Sequence, residues 1–373
     1  MESNRLFYIA NVRLPTEKAH GMQIMKSCEA FVRAGLTVEL IVPRRKNPMQ
    51  GDPFSYYRAE RNFVVTRLPV LDTIRFGRLG FLLELFSFLV TVRLYLIGKR
   101  GWVYTREAAV GFFFKAFALE THTLPEPFSA FRRALYKRAR AHVVLTSFLK
   151  RELINAGGAE SLIIIAPDAV DLALFDIELS KEAARKRLSL PQDRRIVLYA
   201  GSFFLYDWKG VDTFLEAAPE FESDSLFVLV GGNEREVREA RTKWGRENIL
   251  FLGYQPPQSI PLYLKAADVL VIPNKKGATA SERYTSPLKL FEYMAAGRPI
   301  VASCLPSLQE VVTEKEVEFF EPNSSTDLAR AMRLVFSDQS RADSLAQNAR
   351  KKAAAFTWDT RMKGVADKLR ELY

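Results

Sequence analysis

Residues 281–303, SERYTSPLKLFEYMAAGRPIVAS, decide how the chain reads. The stretch predicts a loop, a helix, a turn and a buried strand. Ser286 suits an N-cap, and Pro287 the first helical position, where its missing N–H costs nothing. Leu288 to Ala296 are strong helix formers, Gly297 ends the helix, and Pro299 stops it resuming. Ile300, Val301 and Ala302 begin an interior strand. A helix start offers unpaired N–H groups and a positive dipole end to an anion, and Lys289 adds a mobile positive charge. Glu292 falls four residues after Leu288, on the same face one turn deeper. A carboxylate there can accept from two adjacent hydroxyls, such as those of a ribose, while the amides hold a diphosphate. An ordinary amphipathic helix with a solvated Glu and Lys carries the same pattern.

Working back from this stretch, VLVIP (269–273), NILFLG (248–253), LFVLVGG (226–232) and RRIVLYAG (194–201) read as strands separated by helical sequence. That alternation predicts a parallel sheet with helices on its faces. In such sheets ligands bind beyond the carboxyl ends of the strands. Three loops meet that condition. The loop after Gly201 begins with Ser202 and carries Lys209-Gly210 just before a helix, a diphosphate contact or a surface Lys at a helix start. Gly231-Gly232-Asn233 allows close backbone approach, or is a plain turn. Gly253-Tyr254 lines a base pocket or packs a ring. Working forward, EVEFFEP is a short strand and the remainder is helical, ending in a helix that carries Trp358.

The first half repeats the architecture. FYIAN (7–11) and VELIV (38–42) are strands, joined by a loop in which Gly21 precedes a helix starting near Met22. WVYTRE (102–107), HVVLTS (142–147) and LIIIAPDAVD (162–171) follow, with Glu120 and His122 in a strand-end loop. The first half lacks G-x-G-x-x-G, so its sequence gives little support to a dinucleotide site. At 373 residues two domains are expected, 1–170 and 171–355, with part of 356–373 returning to the first. Two cysteines, Cys28 and Cys304, imply no disulfide framework, and the first residues carry no signal-peptide pattern. A cytoplasmic protein is expected.

Charge is divided unequally. Residues 1–170 hold 25 Lys+Arg against 14 Asp+Glu, while the remainder is balanced, so the whole net charge of +11 sits in the first half. That half is built to meet something anionic. Residues 79–97, LGFLLELFSFLVTVRLYLI, are the most apolar segment, but Glu84 and Arg93 interrupt a run too short to span a bilayer. The segment is either a buried domain helix or one lying in a membrane surface, with Arg75, Arg78, Lys99 and Arg100 meeting lipid phosphates.

Together these residues resemble the retaining, nucleotide-sugar-dependent glycosyltransferases of family 4. The resemblance is densest at YAGSFFLYDWKGVDTFLEAA, ILFLGYQPPQSIPLYLKAADVLVIP and SPLKLFEYMAAGRPIVAS. It implies the α/β GT-B fold, two Rossmann-like domains facing across a cleft, the donor held by the second and the acceptor by the first. Lys209 would then contact the donor diphosphate, Ser286, Pro287 and Leu288 would offer backbone groups to phosphate, and Glu292 would hold the ribose. Gly21 would lie near the phosphates and His122 near the reacting sugar. The chain departs from the family pattern at Tyr284, where a first glutamate is usual; Glu282 is the nearest carboxylate.

The expected activity is transfer of a sugar from a nucleoside diphosphate, with retention, to a glycan or lipid-linked acceptor in cell-surface polysaccharide or glycolipid synthesis. No Asp-x-Asp cluster is evident, so neither a metal nor any cofactor beyond the nucleotide-sugar co-substrate is expected. Expected partners are the donor, the acceptor and an anionic membrane surface on the cytoplasmic face. Nucleic acid is not expected, because the basic residues are not interleaved with aromatics in a binding motif. A nucleotide-sugar epimerase and a non-catalytic nucleotide-sugar binder stay open as alternatives.

Overall fold

Ser225–Val230 (SLFVLV) is buried at every position, as a parallel strand covered on both faces must be. Thirteen strands, all paired in parallel, form the skeleton of the described part of the chain. The computed structural model describes residues 4–125, 127–203 and 207–372; the part of the loop after Gly201 at 204–206 lies outside them. The chain divides into two compact units, 4–167 with 358–372, and 168–357. The expected break after Val170 is thus a break after Pro167.

The first unit contains β1 (Arg5–Ile9), β2 (Thr37–Arg44), β3 (Val64–Pro69), β4 (Trp102–Thr105), β5 (Ala118–Thr121), β6 (Ala141–Val144) and β7 (Ile163–Ile165). Their order is β3-β2-β1-β4-β5-β6-β7. The second contains β8 (Arg195–Ala200), β9 (Ser225–Val230), β10 (Ile249–Gly253), β11 (Val269–Ile272), β12 (Ile300–Ser303) and β13 (Glu318–Phe320), in the order β10-β9-β8-β11-β12-β13. In both sheets the order reverses beside the first strand, between β1 and β4 and between β8 and β11. Such reversal points leave a crevice at the carboxyl ends, the place where α/β sheets bind ligands.

Period-two alternation sorts the second unit's core into two layers. Ile196, Leu198, Val228, Leu270 and Ile272 face one way with Leu290, Phe291 and Met294 of helix Leu288–Ala296. Val197, Tyr199, Phe227, Val269 and Val271 face the other, with Phe214 and Leu328. Each fully buried side chain of this size contributes roughly 2 kcal/mol.

Two sequence expectations change. Edge strand β3 was not assigned, because Val64 and Arg67 blur its alternation: only Leu68 of its six residues is buried. Gly21 does not precede its helix but lies inside its first turn, since the helix runs Ala19–Arg33. The final helix, Trp358–Leu372, belongs to the first unit. Its Arg361 donates to the carbonyls of Ala166 and Pro167 and to the Glu120 carboxylate. Among the described residues no helix is long and apolar enough to cross a membrane.

Candidate active site

In the second unit, the residues at the β8–β11 reversal point assemble around the end of β8. The Tyr293 hydroxyl, from helix Leu288–Ala296, accepts the Ala200 N–H at 2.7 Å and fixes where the strand stops. Gly201 then takes φ +149°, and its carbonyl lies so close to Gly231 that a Cβ there would come within 2.1 Å. A Cβ on Gly232 would press into the Phe203 ring at 2.8 Å. These glycines let the loops after β8 and β9 stack. Asn233 then caps helix Glu234–Trp244 in a reciprocal box with Glu236.

Two lysines meet at this loop. Lys209 ends a single 3-10 turn and its Nζ donates to the Ser202 hydroxyl. Loss of hydration lowers its pKa, with Glu236 opposing. Lys289 is not the mobile charge its position in a first turn suggests. Its Nζ is buried 3.9 Å from the centroid of the Tyr199 ring and has no hydrogen-bond acceptor. Desolvation drives it well below the ordinary lysine range, and the neighbouring Lys209 charge pushes the same way. A buried cation without an acceptor costs free energy unless an anion arrives.

The helix that carries Lys289 starts differently from expectation. Pro287 is extended (φ −73°, ψ 122°) and occupies the capping position itself, and no side chain caps the helix. The Ser286 hydroxyl accepts the Asp168 N–H at 2.9 Å instead, because the chain entering the unit runs beside it. The N–H groups at Leu288 and Lys289 are therefore left for another acceptor. One turn on, the half-buried Glu292 has its pKa pushed up to about 7, by desolvation first, with Lys289 opposing and Asp168 adding.

The remaining predicted positions are less concentrated. Glu282 sits in one turn of π-helix, Ala280–Tyr284, where its Oε1 accepts the Gly277 N–H at 2.6 Å and closes the loop. Tyr284 is buried. Tyr254 follows Gly253 at the end of β10 and is 42% exposed. Sequence reasoning passed over Asn274 and Ser281, on the β11 side of the reversal point. Both are buried, and the Asn274 amide and the Ser281 hydroxyl have no hydrogen-bond partner. The available signal was position alone, just past VLVIP.

In the first unit, His122 lies just past β5 with Nε2 2.9 Å from Glu120 Oε1. Glu120 is fully buried; desolvation opposes its charge, but Arg106 and Arg361 hold its pKa well below the usual carboxylate range. Tyr104 donates to the same carboxylate at 2.8 Å. His122 is thus positioned by a charged, fully bonded neighbour. Gly21 answers to packing: a Cβ would meet the Tyr57 hydroxyl at 2.1 Å, and that hydroxyl bridges both backbone groups of Thr16.

Around the carboxyl ends of β1 and β2 lie two adjoining cavities of about 370 and 410 Å³, sharing Arg13 and Arg45 as walls. Lys18, Lys46, Arg44 and Arg67 add further cations, against Asp72 alone. The Arg45 side chain is largely buried, 3.6 Å from Glu84, and its Nε lacks a partner, as does Asn11 Oδ1. Desolvation lowers the Arg45 pKa, while Glu84 and Asp72 raise it. Among the described residues no group of three or more His, Cys, Asp or Glu gathers as metal ligands.

Two parallel α/β units, each with its strand order reversing beside the first strand, define a doubly wound α/β class of protein. Residues 180–352, most of the second unit, match the family model for glycosyl transferases group 1. A relative from Escherichia coli K12, named provisionally as the colanic acid biosynthesis glycosyl transferase WcaI, is 25% identical over 45% of this chain and 42% of its own. The chain spans about half the length of the curated relatives it matches. Sucrose-phosphate synthase from Thermosynechococcus elongatus superposes with a TM-score of 0.79 at 20% identity, over 99% of both chains. Anabaena Alr3699/HepE in complex with UDP-glucose gives 0.76 at 17%, over 99% of this chain and 100% of that one. The chain has the GT-B fold of these structures, and the match to the group 1 glycosyl transferase model falls within its second unit.

Proposed function

We propose that this protein is a retaining, metal-independent glycosyltransferase, moving a hexose from a nucleoside diphosphate to an acceptor hydroxyl in polysaccharide or glycolipid synthesis. One observation carries the reading: the convergence of Lys209 and Lys289, the latter's amine buried without an acceptor, beside an uncapped helix start. Two cations and free amides suit a diphosphate leaving group, whose negative charge grows as the sugar departs. The bond from the anomeric carbon to the β-phosphate oxygen breaks, and the acceptor oxygen bonds to that carbon on the same face. The acceptor's proton passes to the departing phosphate, so this step requires no side-chain base. Glu292 holds the ribose hydroxyls as they enter, and in the first unit Glu120 fixes the orientation of His122. The basic cavities beside β1 and β2 suit an acceptor that carries a phosphate or carboxylate.

A thermal-shift panel of nucleoside diphosphates and their sugars tests this, with UDP-glucose as the first probe. At about a hundred times Kd a ligand stabilises by about 2.7 kcal/mol, a shift of several degrees. Lys289→Met is the sharper arm. It removes a buried, unsatisfied cation, so the ligand-free protein melts higher, while the shift given by the donor disappears. A variant that melts lower and keeps the shift contradicts the assignment. Conversion of a nucleotide sugar to its epimer without acceptor assigns epimerase chemistry instead.

A further inference from the structure

We infer that the first unit docks on the surface of an anionic lipid bilayer, through the apolar helix Gly77–Tyr95 and an aromatic ridge beside it. This helix is inverted relative to an ordinary surface helix. Its carboxylate, Glu84, points inward to Asn11 and Arg45, whereas Leu79 (79% exposed), Leu82, Leu83, Phe86 and Leu94 (61%) face outward. A globular protein normally hides such a stripe. The exposed surface continues past the helix. Phe86 packs on Phe113 with centroids 5.9 Å apart, and next to it Phe112 stacks on Phe131, itself 66% exposed.

The rim says what covers it. Arg75 and Arg78 flank the start of the helix, Lys99 and Arg100 lie beyond its end, and Arg132 and Arg133 border the aromatic pair. Residues 73–140 hold 12 Lys+Arg and 4 Asp+Glu. Two of those carboxylates, Glu84 and Glu120, are buried. A second copy of the chain would set two cationic rims against each other. A bilayer offers the complement, an apolar interior bordered by phosphates. At about 1.5 Å per residue the 19-residue helix is about 28 Å long, and it lies in the plane of the interface. The inference stands on this surface alone and does not depend on the transfer reaction.

The test is flotation of the full chain with phosphatidylcholine vesicles, with and without phosphatidylglycerol, at low and high salt. Three proteins are compared: the unaltered chain, Leu79→Ser with Phe86→Ser, and Arg75→Ala with Arg78→Ala. All four positions are exposed, and matching melting curves establish that the fold is kept. The unaltered chain should float with the anionic vesicles, less so in high salt. The arginine pair should partition about tenfold or more weakly. The apolar pair should remain in solution under all conditions. Absence of flotation, equal partition into neutral vesicles, or undiminished binding by the apolar pair overturns the inference. So does a dimer in sedimentation equilibrium that the apolar pair abolishes, which would assign the face to a second copy.

Discussion

The two units share a sheet plan and differ in how they handle charge. The second, 168–357, holds 25 Lys+Arg against 27 Asp+Glu, yet it draws two lysines together at its reversal point and buries the amine of one without an acceptor. The first, with 29 Lys+Arg against 16 Asp+Glu, spreads its positive charge over open cavities and a rim around exposed apolar side chains. One arrangement is narrow and costly to keep empty; the other is broad and open. The backbone plan therefore determines where ligands go, while side-chain desolvation determines how sharply they are held.

The comparison breaks most readily at Lys209. If the second unit alone grips the diphosphate, Lys209→Ala should lower kcat/KM for the donor by about 10²–10³ in steady-state assays. Next comes Gly210→Ala. Gly210 holds φ +66°, and a Cβ would come within 1.7 Å of the Pro273 carbonyl. Urea unfolding should show a loss of about 2–3 kcal/mol. A smaller effect is expected from Arg13→Ala in the first unit. It should raise KM for an anionic acceptor about tenfold and leave donor affinity unchanged; a matching loss of donor binding would erase the distinction between the units.

The smallest effect concerns pH. The Glu292 pKa is raised to about 7 in the folded chain, so the fold binds a proton that the unfolded chain releases near the ordinary carboxyl value. Its contribution to stability is complete below about 4.5 and is lost as pH rises towards 7. Burial lowers the pKa of His20 and His142 to about 4, and these act in the opposite direction over much of that window. The difference in melting temperature between Glu292→Gln and the unaltered chain isolates the one slope, and should vary with pH between about 4.5 and 7.

Strands buried on both faces were legible because they are apolar almost without interruption, as at Ser225–Val230, Val269–Ile272 and Ile300–Ser303. The helix from Leu288 to Ala296 was legible through Gly297 and Pro299. Its cap was not. Ser286 has a local reading as an N-cap, but a residue 118 positions earlier in the chain, Asp168, takes its hydroxyl. The burial of the Lys289 amine and the unpartnered amide of Asn274 depend on what packs above them, which no local pattern encodes. The apolar helix was visible, but its orientation was not. Glu84 interrupts the apolar run in the sequence, and only tertiary contacts, to Asn11 and Arg45, turn it inward.

The ion pair between Glu120 and Arg361 has a consequence for biosynthesis. Glu120 is fully buried, and Arg361 reaches it from a helix that leaves the ribosome only after the entire second unit. Until then the buried carboxylate keeps Arg106 but lacks Arg361, and an interior charge short of a partner is destabilising. The unit translated first is therefore completed last, and a chain truncated after residue 357 should expose its early half to proteases while the later half resists them.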